Sequence, residues 1–308
     1  MRSGCEKIHR LHYTPTIYRM NMLLQAICKC EACLGRPKNT YIYNMKYLIA
    51  FVALLCTSPA LCQEALLPVR IMATPKAEAE RFAGTDAFGW EYVIADNEFR
   101  KQKDGRVLKY KNVALGEIYR VDLQNPLQIV LFYKKFNTVV LLDNQMNATN
   151  LINFNDITEP LLAEAVGLAS QNRLWVYDLN SQQTGLFDTA KNTFRTLTPP
   201  NNGGIKWYQN DYNYFYWTDN NNNLFVLNLF GKINTLGTLP AFDAAQLISP
   251  DVLLLQKSNS LYQYQLSAQK STPVTIVEKT FEAFYYKDGI LSIFTNSEII
   301  QYKISLPR

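Results

Sequence analysis

From Leu66 onward the chain alternates apolar runs of five to eight residues with short polar breaks, and the runs come in pairs. Residues 125–147 (NPLQIVLFYKKFNTVVLLDNQMN) show the unit clearly: apolar 129–133, polar 134–137, apolar 138–142, then Asp143-Asn144 as an exit. Two strand-length apolar runs around a short polar break predict a β-hairpin. Six such hairpins follow one another: 90–96 with 98–104, 128–133 with 138–142, 173–179 with 183–189, 212–218 with 223–230, 252–256 with 260–266, and 289–294 with 298–304. Their breaks fall at Asn97, Asn137, Ser181, Asn221, Asn259 and Asn296, so successive spacings are 40, 44, 40, 38 and 37 residues. Short strands repeating at about 40 residues predict a β-propeller with one four-stranded blade per repeat.

Each interval has room for two more strands. Thr-rich segments at 149–154, 193–198, 233–239 and 272–278 follow the hairpins, and segments at 118–123, 204–209, 243–249 and 281–287 open the next repeat. The breakers between them, Pro199-Pro200-Asn201-Asn202-Gly203-Gly204, Asp104-Gly105 and Asp288-Gly289, have turn chemistry. Helical composition is confined to 77–83 (AEAERFA) and 160–169 (PLLAEAVGLA). The last hairpin ends near Ile304 with too few residues left for a fourth strand, whereas 66–73 (LLPVRIMA) is an apolar strand with no hairpin partner. If that strand completes the last blade, no unpaired edge remains at the join, while an open stack of hairpins would expose both ends. The expected fold is therefore all-β, a six-bladed β-propeller closed by an N-terminal strand that completes the last blade.

The first 62 residues have a different character. Met45 begins MKYLIAFVALLCTSPALCQE, with one basic residue (Lys46), an apolar run over 47–55 and small residues at Ala60 and Cys62. That order predicts a signal peptide over 45–62, cleaved between Cys62 and Gln63. The run is short of the ~20 residues a membrane span needs. Leu61 stands where a lipoprotein signal would place a small residue. Residues 1–44 then read as a non-native extension ahead of the true initiator, Met45. Cys28, Cys30 and Cys33 with His9 and His12 are zinc-donor types, but they lack paired CxxC spacing. The expected organisation is 1–44 extension, 45–62 signal peptide and 63–308 one propeller domain.

Setting that leader aside changes the chemistry available. All six Cys and both His lie within 1–62. Eight of the 31 Lys and Arg and two of the 26 Asp and Glu lie there too, leaving 23 against 24, a net of −1. A near-neutral chain has no electrostatic reason to bind nucleic acid or an anionic membrane. Without imidazole or thiol, Ser-His-Asp and Cys-His nucleophiles are excluded, and zinc and haem lose their usual donors. Carboxylate, Lys or Tyr chemistry and an oxygen-ligated cation stay open. Neither a GxxxxGK[ST] nor a GxGxxG phosphate cradle occurs, and no cofactor is expected.

Candidate site residues follow from loop placement. The loop within each central hairpin and the loop between blades emerge on one face of a propeller, which collects Lys134, Lys135, Asn137, Asn201, Asn202 and Asn220 to Asn223. Tyr133, Trp207, Tyr208 and Tyr212 are expected near those loop ends as an aromatic platform. Asp96, Asp143, Asp178 and Asp219 recur at strand ends, either as Ca²⁺ ligands or as caps of local turns. No D-x-D-x-D-G loop accompanies them. Paired carboxylates for glycoside cleavage are a further option, with no indication of which two would meet.

Residues 125–147, with Phe88-Gly89-Trp90 and Leu115-Gly116 ahead of them, resemble a family of exported proteins of Bacteroidota. The resemblance covers most of 63–308 and is weakest beyond about Asn210. It implies export and a propeller-like domain and brings no catalytic residue. Within the shared stretch the densest polar and aromatic set is Tyr133, Lys134, Lys135, Phe136, Asn137, Asp143 and Asn144. Together with Asn201, Trp207, Tyr212 and Asn221 these form the expected binding residues. The expected function is a non-catalytic scaffold of the periplasm or outer membrane with an envelope protein or glycan as partner. The alternative is a carboxylate-dependent hydrolase or lyase acting on a polysaccharide.

Overall fold

The computed structural model describes residues 65–76 and 81–306. The expected extension and signal peptide lie outside the described residues. Strand β1 (Val69–Pro75) comes first and is separated in sequence from its sheet. Blade 1 is β2 (Arg81–Thr85), β3 (Glu91–Ala95), β4 (Glu98–Lys103) and β5 (Arg106–Lys111). Blade 2 is β6 (Arg120–Asp122), β7 (Ile129–Tyr133), β8 (Thr138–Leu142) and β9 (Ala148–Asn153). Blade 3 is β10 (Ala163–Ala169), β11 (Arg173–Asp178), β12 (Gln183–Asp188) and β13 (Thr193–Thr196). Blade 4 is β14 (Trp207–Asn210), β15 (Tyr214–Thr218), β16 (Asn223–Asn228) and β17 (Ile233–Thr238). Blade 5 is β18 (Ala244–Ser249), β19 (Val252–Lys257), β20 (Ser260–Gln265) and β21 (Lys270–Val274). Blade 6 is β22 (Ala283–Lys287), β23 (Ile290–Phe294) and β24 (Glu298–Lys303), with β1 as its fourth strand.

The six antiparallel sheets form a six-bladed β-propeller, and the expected hairpins are the second and third strands of its blades. The expected closing strand 66–73 is observed two to three residues later, as β1. It pairs with β24 from Val69 opposite Lys303 to Pro75 opposite Glu298, with an irregularity between Arg70 and Met72. Upstream, Leu66 bonds the outer strand of blade 5, donating to Pro273 O at 2.9 Å and accepting from Thr275 N at 2.8 Å.

The core lies between blades rather than within them. Alternate residues of a strand point to opposite sheet faces, and here each face meets a neighbouring blade. Ile129, Leu131 and Tyr133 of β7 pack toward blade 1, while Val130 and Phe132 pack toward blade 3. That is why β7 and β8 read as unbroken apolar runs, buried at every position. Turn residues suit their conformations: Asp96-Asn97, Asp104-Gly105, Gln171-Asn172 and Asp288-Gly289 all carry consecutive positive φ angles, the backbone of type I′ hairpin turns.

Both segments of helical composition differ from that reading. Residues 81–83 begin β2, and Ala163–Ala169 is β10, the innermost strand of blade 3. Small residues near the propeller axis are a packing requirement there, and tertiary packing overrides helix propensity. Gly167 shows the constraint: a Cβ at this position would lie far inside contact distance of the Asn210 side chain.

Each seam between blades is also crossed by side chains that hydrogen-bond the neighbour's backbone. Arg81 donates to Ile118 O and Tyr119 O between blades 1 and 2. Asp122 accepts from Leu168 N at 2.8 Å between blades 2 and 3, and Asn210 donates to Leu168 O at 3.1 Å between blades 3 and 4. Gln209 holds both the N–H and C=O of Leu247 at 2.9 Å. Gln246 does the same to Tyr286, at 2.8 and 2.7 Å. Lys287 closes the circle on Thr85 O at 2.6 Å.

Two predictions follow from this packing. Gly167→Ala should cost about 1–3 kcal/mol in urea unfolding, and clearly less in an Asn210→Ala background; equal costs in both would show that Asn210 is not the obstacle. The second concerns alkali. Burial raises the pKa of Tyr92, Tyr133, Tyr177, Tyr208, Tyr212, Tyr216, Tyr285 and Tyr302, to about 12 for Tyr216 and Tyr302. Folded, these phenols keep their protons to higher pH than in the unfolded chain. Their contribution is therefore complete below the unfolded value of about 10 and lost as pH rises through the folded values. Lys101 and Arg81, whose pKa values burial lowers, oppose this as two groups against eight. The urea midpoint should stay flat toward pH 9 and fall beyond about 10, in step with phenolate absorbance; phenolate appearing while the midpoint is unchanged would contradict it.

Candidate functional site

Within a blade the strands alternate direction, so loops joining second to third strands, and one blade to the next, share an upper face. Loops joining first to second and third to fourth strands share the lower face. On the upper face a 3₁₀ turn, Lys134–Phe136, ends at Asn137 in the left-handed conformation (φ 50°), which Asn tolerates well. Lys134 pairs with Glu164 at 2.5 Å and lies 4.8 Å from the Tyr119 ring centroid. Lys135 pairs with Glu117 at 3.2 Å. Phe136 is 48% exposed and sits against Gly116, where a Cβ would come within 3.3 Å of its ring. Gly116 also has φ +67°, so a side chain there would be strained.

Other expected site residues have different placements. Asn137 is buried, accepting from Ala163 N at 2.9 Å and donating to Leu161 O at 2.6 Å, which ties blade 2 to blade 3. Tyr133 is fully buried with its hydroxyl unpartnered among protein groups, so it offers no surface platform. Trp207 is half-buried and donates to Ala245 O at 2.9 Å, sealing blade 4 to blade 5. Tyr208 is buried beside β10. Asn201 shapes its own turn through Gly203 N and Gly204 O, and Asn221 is an exposed tip whose N–H donates to Asp219. Three expected residues lie at the opposite end. Tyr212 is in the first-to-second-strand loop of blade 4, and Asp143 and Asn144 are in the third-to-fourth-strand loop of blade 2. The expected set is thus divided between two faces, and Lys134, Lys135 and Phe136 are its exposed upper-face cluster.

The recurring aspartates cap turns. Asp143 accepts from Gln145 N and Asn147 N, each at 2.8 Å, and from Asn147 Nδ2 at 3.0 Å. Asp219 repeats that arrangement with Asn221 and Asn223, all at 2.8 Å. Asp178 accepts from Leu162 N, Asn180 N and Ser181 N. Asp96 is itself a turn residue of positive φ. Such bonds hold two carboxyls below the usual carboxylate range: Asp143, chiefly through the Asn147 side chain, and Asp188, chiefly through the Lys191 N–H. Among the described residues no cluster of three or more His, Cys, Asp or Glu is placed to hold a metal.

The propeller axis holds a cavity of about 690 Å³. One wall comes from blades 2 and 4, where Arg120 donates to Tyr208 O at 3.0 Å and Asn210 donates to Asp122 at 2.8 Å. These contacts bridge over β10, which contributes no lining residue. The facing side, from blades 1, 5 and 6, combines Ala83, Ala244, Ala245 and Ala283 with the larger Gln256, Glu282, Phe284 and Tyr285. Tyr212, Lys287 and Thr85 stand toward the lower mouth. Sequence reasoning missed this wall. Its signal was a polar residue inside an otherwise apolar opening strand: Asp122, Gln209-Asn210 and Gln246.

No protein-family model matches the chain, and no curated protein matches its sequence. Solved structures do resemble it. A streptogramin B lyase superposes with a TM-score of 0.52 at 13% identity, covering 77% of this chain and 89% of that one. A catalytically inactive histidine-to-alanine variant of virginiamycin B lyase from Staphylococcus aureus, solved with quinupristin, superposes at 0.50 and 11% identity, covering 76% and 99%. The extracellular domain of a one-component system from B. thetaiotaomicron gives 0.48 at 10% identity, covering 76% and 40%. At these identities the shared property is the propeller fold.

Proposed function

We propose that the chain is an exported, non-catalytic propeller whose upper face binds a protein partner of the cell envelope. The observation that carries this reading is the commitment of the acidic groups. Three of the four aspartates that the sequence offered for chemistry, Asp143, Asp178 and Asp219, accept backbone N–H groups, Asp122 is bonded to Leu168 N and Asn210, and Glu282 is paired with Lys76 at 2.6 Å. None of these five carboxylates is left free to serve in the acid and base pair that glycoside cleavage requires. The lyase resemblance does not supply one. The inactive variant of that enzyme lacks a histidine side chain, and this chain has histidine only at His9 and His12.

The upper face has the composition of a recognition surface. Val113 (82% exposed), Tyr119, Phe136, Leu162 and Leu179 succeed one another across blades 1 to 3, flanked by the Lys134–Glu164 and Lys135–Glu117 pairs. Exposed apolar groups rimmed by charge mark interaction sites. Export rests on the 45–62 pattern, and no helix among the described residues is long and apolar enough to cross a membrane.

Replacing Lys134, Lys135 and Phe136 together by Ala should leave folding intact and abolish recovery of a partner that co-purifies from native membranes with the unchanged chain. Undiminished recovery would remove this face from consideration. Turnover of an envelope polysaccharide by the purified protein, with or without Ca²⁺, would overturn the non-catalytic reading.

A further inference from the structure

We propose that the central cavity binds a small, singly charged hydroxylated carboxylate, a site separate from the upper face. Its volume of about 690 Å³ lies in the range of small-molecule pockets, roughly 300–1,000 Å³. The alanines of blades 1, 5 and 6 leave space, and polar groups reach the cavity from both sides: Arg120 and Asn210 from blades 2 and 4, Gln256 and Lys287 from blades 5 and 6.

Arg120 is the anchor. Its guanidinium lies 3.8 Å from the Tyr208 ring centroid, and Nη2 donates to Tyr208 O at 3.0 Å. The ring and that one bond hold the group in place, while among the described residues its other N–H donors have no acceptor and no carboxylate ion-pairs with it. A planar guanidinium held this way suits a carboxylate, which it can engage through two parallel bonds. Lys287 adds a second cation with one bond, to Thr85 O, and no acidic partner.

An acceptor of the opposite kind is present as well. Gln256 lines the same cavity, is 7% exposed, and its Oε1 is buried with no protein donor. A buried acceptor without a donor is destabilising; the amide is held through Nε2 to Ser258 O at 3.3 Å, and turning it toward the cavity lets a ligand hydroxyl satisfy Oε1. The complement is a molecule offering carboxylate oxygens to Arg120 and a hydroxyl hydrogen to Gln256. Acetate meets only the first demand and a neutral sugar only the second. Asp122, Asp211 and Glu282 also line the cavity, and their charge disfavours a dianion. A free sugar acid and the acidic unit of a polysaccharide share this chemistry.

Calorimetric titration of the full chain tests the assignment with glucuronate, a glucuronate-containing oligosaccharide, glucose, acetate and sulfate as probes. Glucuronate should bind at one site at least tenfold more tightly than glucose or acetate, with sulfate a poor competitor. Binding of the oligosaccharide in place of the monomer would assign the polymer as the source. Arg120→Gln should weaken binding at least tenfold and Gln256→Leu several-fold, each checked for folding by thermal melting. Lys135→Ala, on the upper face, should leave it unchanged. Should Arg120→Gln fail to fold, Gln256→Leu and the ranking of probes decide the matter. No heat from either acid, equal affinity for glucose, sulfate competing as well as glucuronate, or full binding by Gln256→Leu would overturn the site. The partner experiment on the upper face stands or fails independently.

Discussion

Six sheets in a circle create six seams, and every seam here is crossed by a side chain that grips the neighbouring blade's backbone. The two glutamines make the principle plain. Gln209 and Gln246 each bind the N–H and C=O of one residue on the next inner strand, as a further β-strand would. The innermost strands are thereby joined without becoming one continuous sheet. Apolar packing between blades supplies most of the driving force, but it is non-directional. The amides fix how far each blade advances along the axis relative to its neighbour. Such buried polar links rigidify a fold only when both partners are satisfied.

The same links shape the cavity. Arg120, Asp122 and Asn210 connect blades 2 and 4 across blade 3, so polar groups line the axial space there, and Gln256, Glu282 and Lys287 face it among the alanines of blades 1, 5 and 6. The fold is shared with lyases at 13% identity or less, and a likeness of that degree concerns the backbone fold alone.

The architecture was largely legible in the sequence because a propeller's second and third strands are buried on both faces. Runs such as 129–133 and 138–142 stand out, and their 40-residue spacing counts the blades. Closure was legible for a different reason, a spare strand-length segment at one terminus and a missing strand at the other, since β1 itself is exposed along its whole length. The innermost strands were harder to read. They are short, rich in small residues and interrupted by polar groups whose partners lie about one repeat away, such as Gln246 and Tyr286. Ala163–Ala169 therefore has helical composition and sits as a strand. The site was less legible still. Tyr133 and Asn137 look like ligand-contacting residues in a polar break, yet one is core and the other an inter-blade tie. Asp143 and Tyr212 are near candidate loops in sequence, but strand direction carries them to the other face.

Closure of the ring by β1 is the claim from which the faces, the axis and the cavity all follow. It is tested most directly by the pair Met72→Cys and Gln301→Cys, which are register partners in β1 and β24. Directly opposed residues of an antiparallel pair bring their Cβ atoms to about 4.5–5.5 Å, near enough for a disulfide after slight adjustment. Peptide mapping by mass spectrometry after mild oxidation should recover a linked peptide joining the two positions within one chain, with a higher melting temperature that reductant reverses. If the two positions remain free thiols, or are linked only between separate chains, the strand does not complete blade 6 and the circular arrangement is wrong.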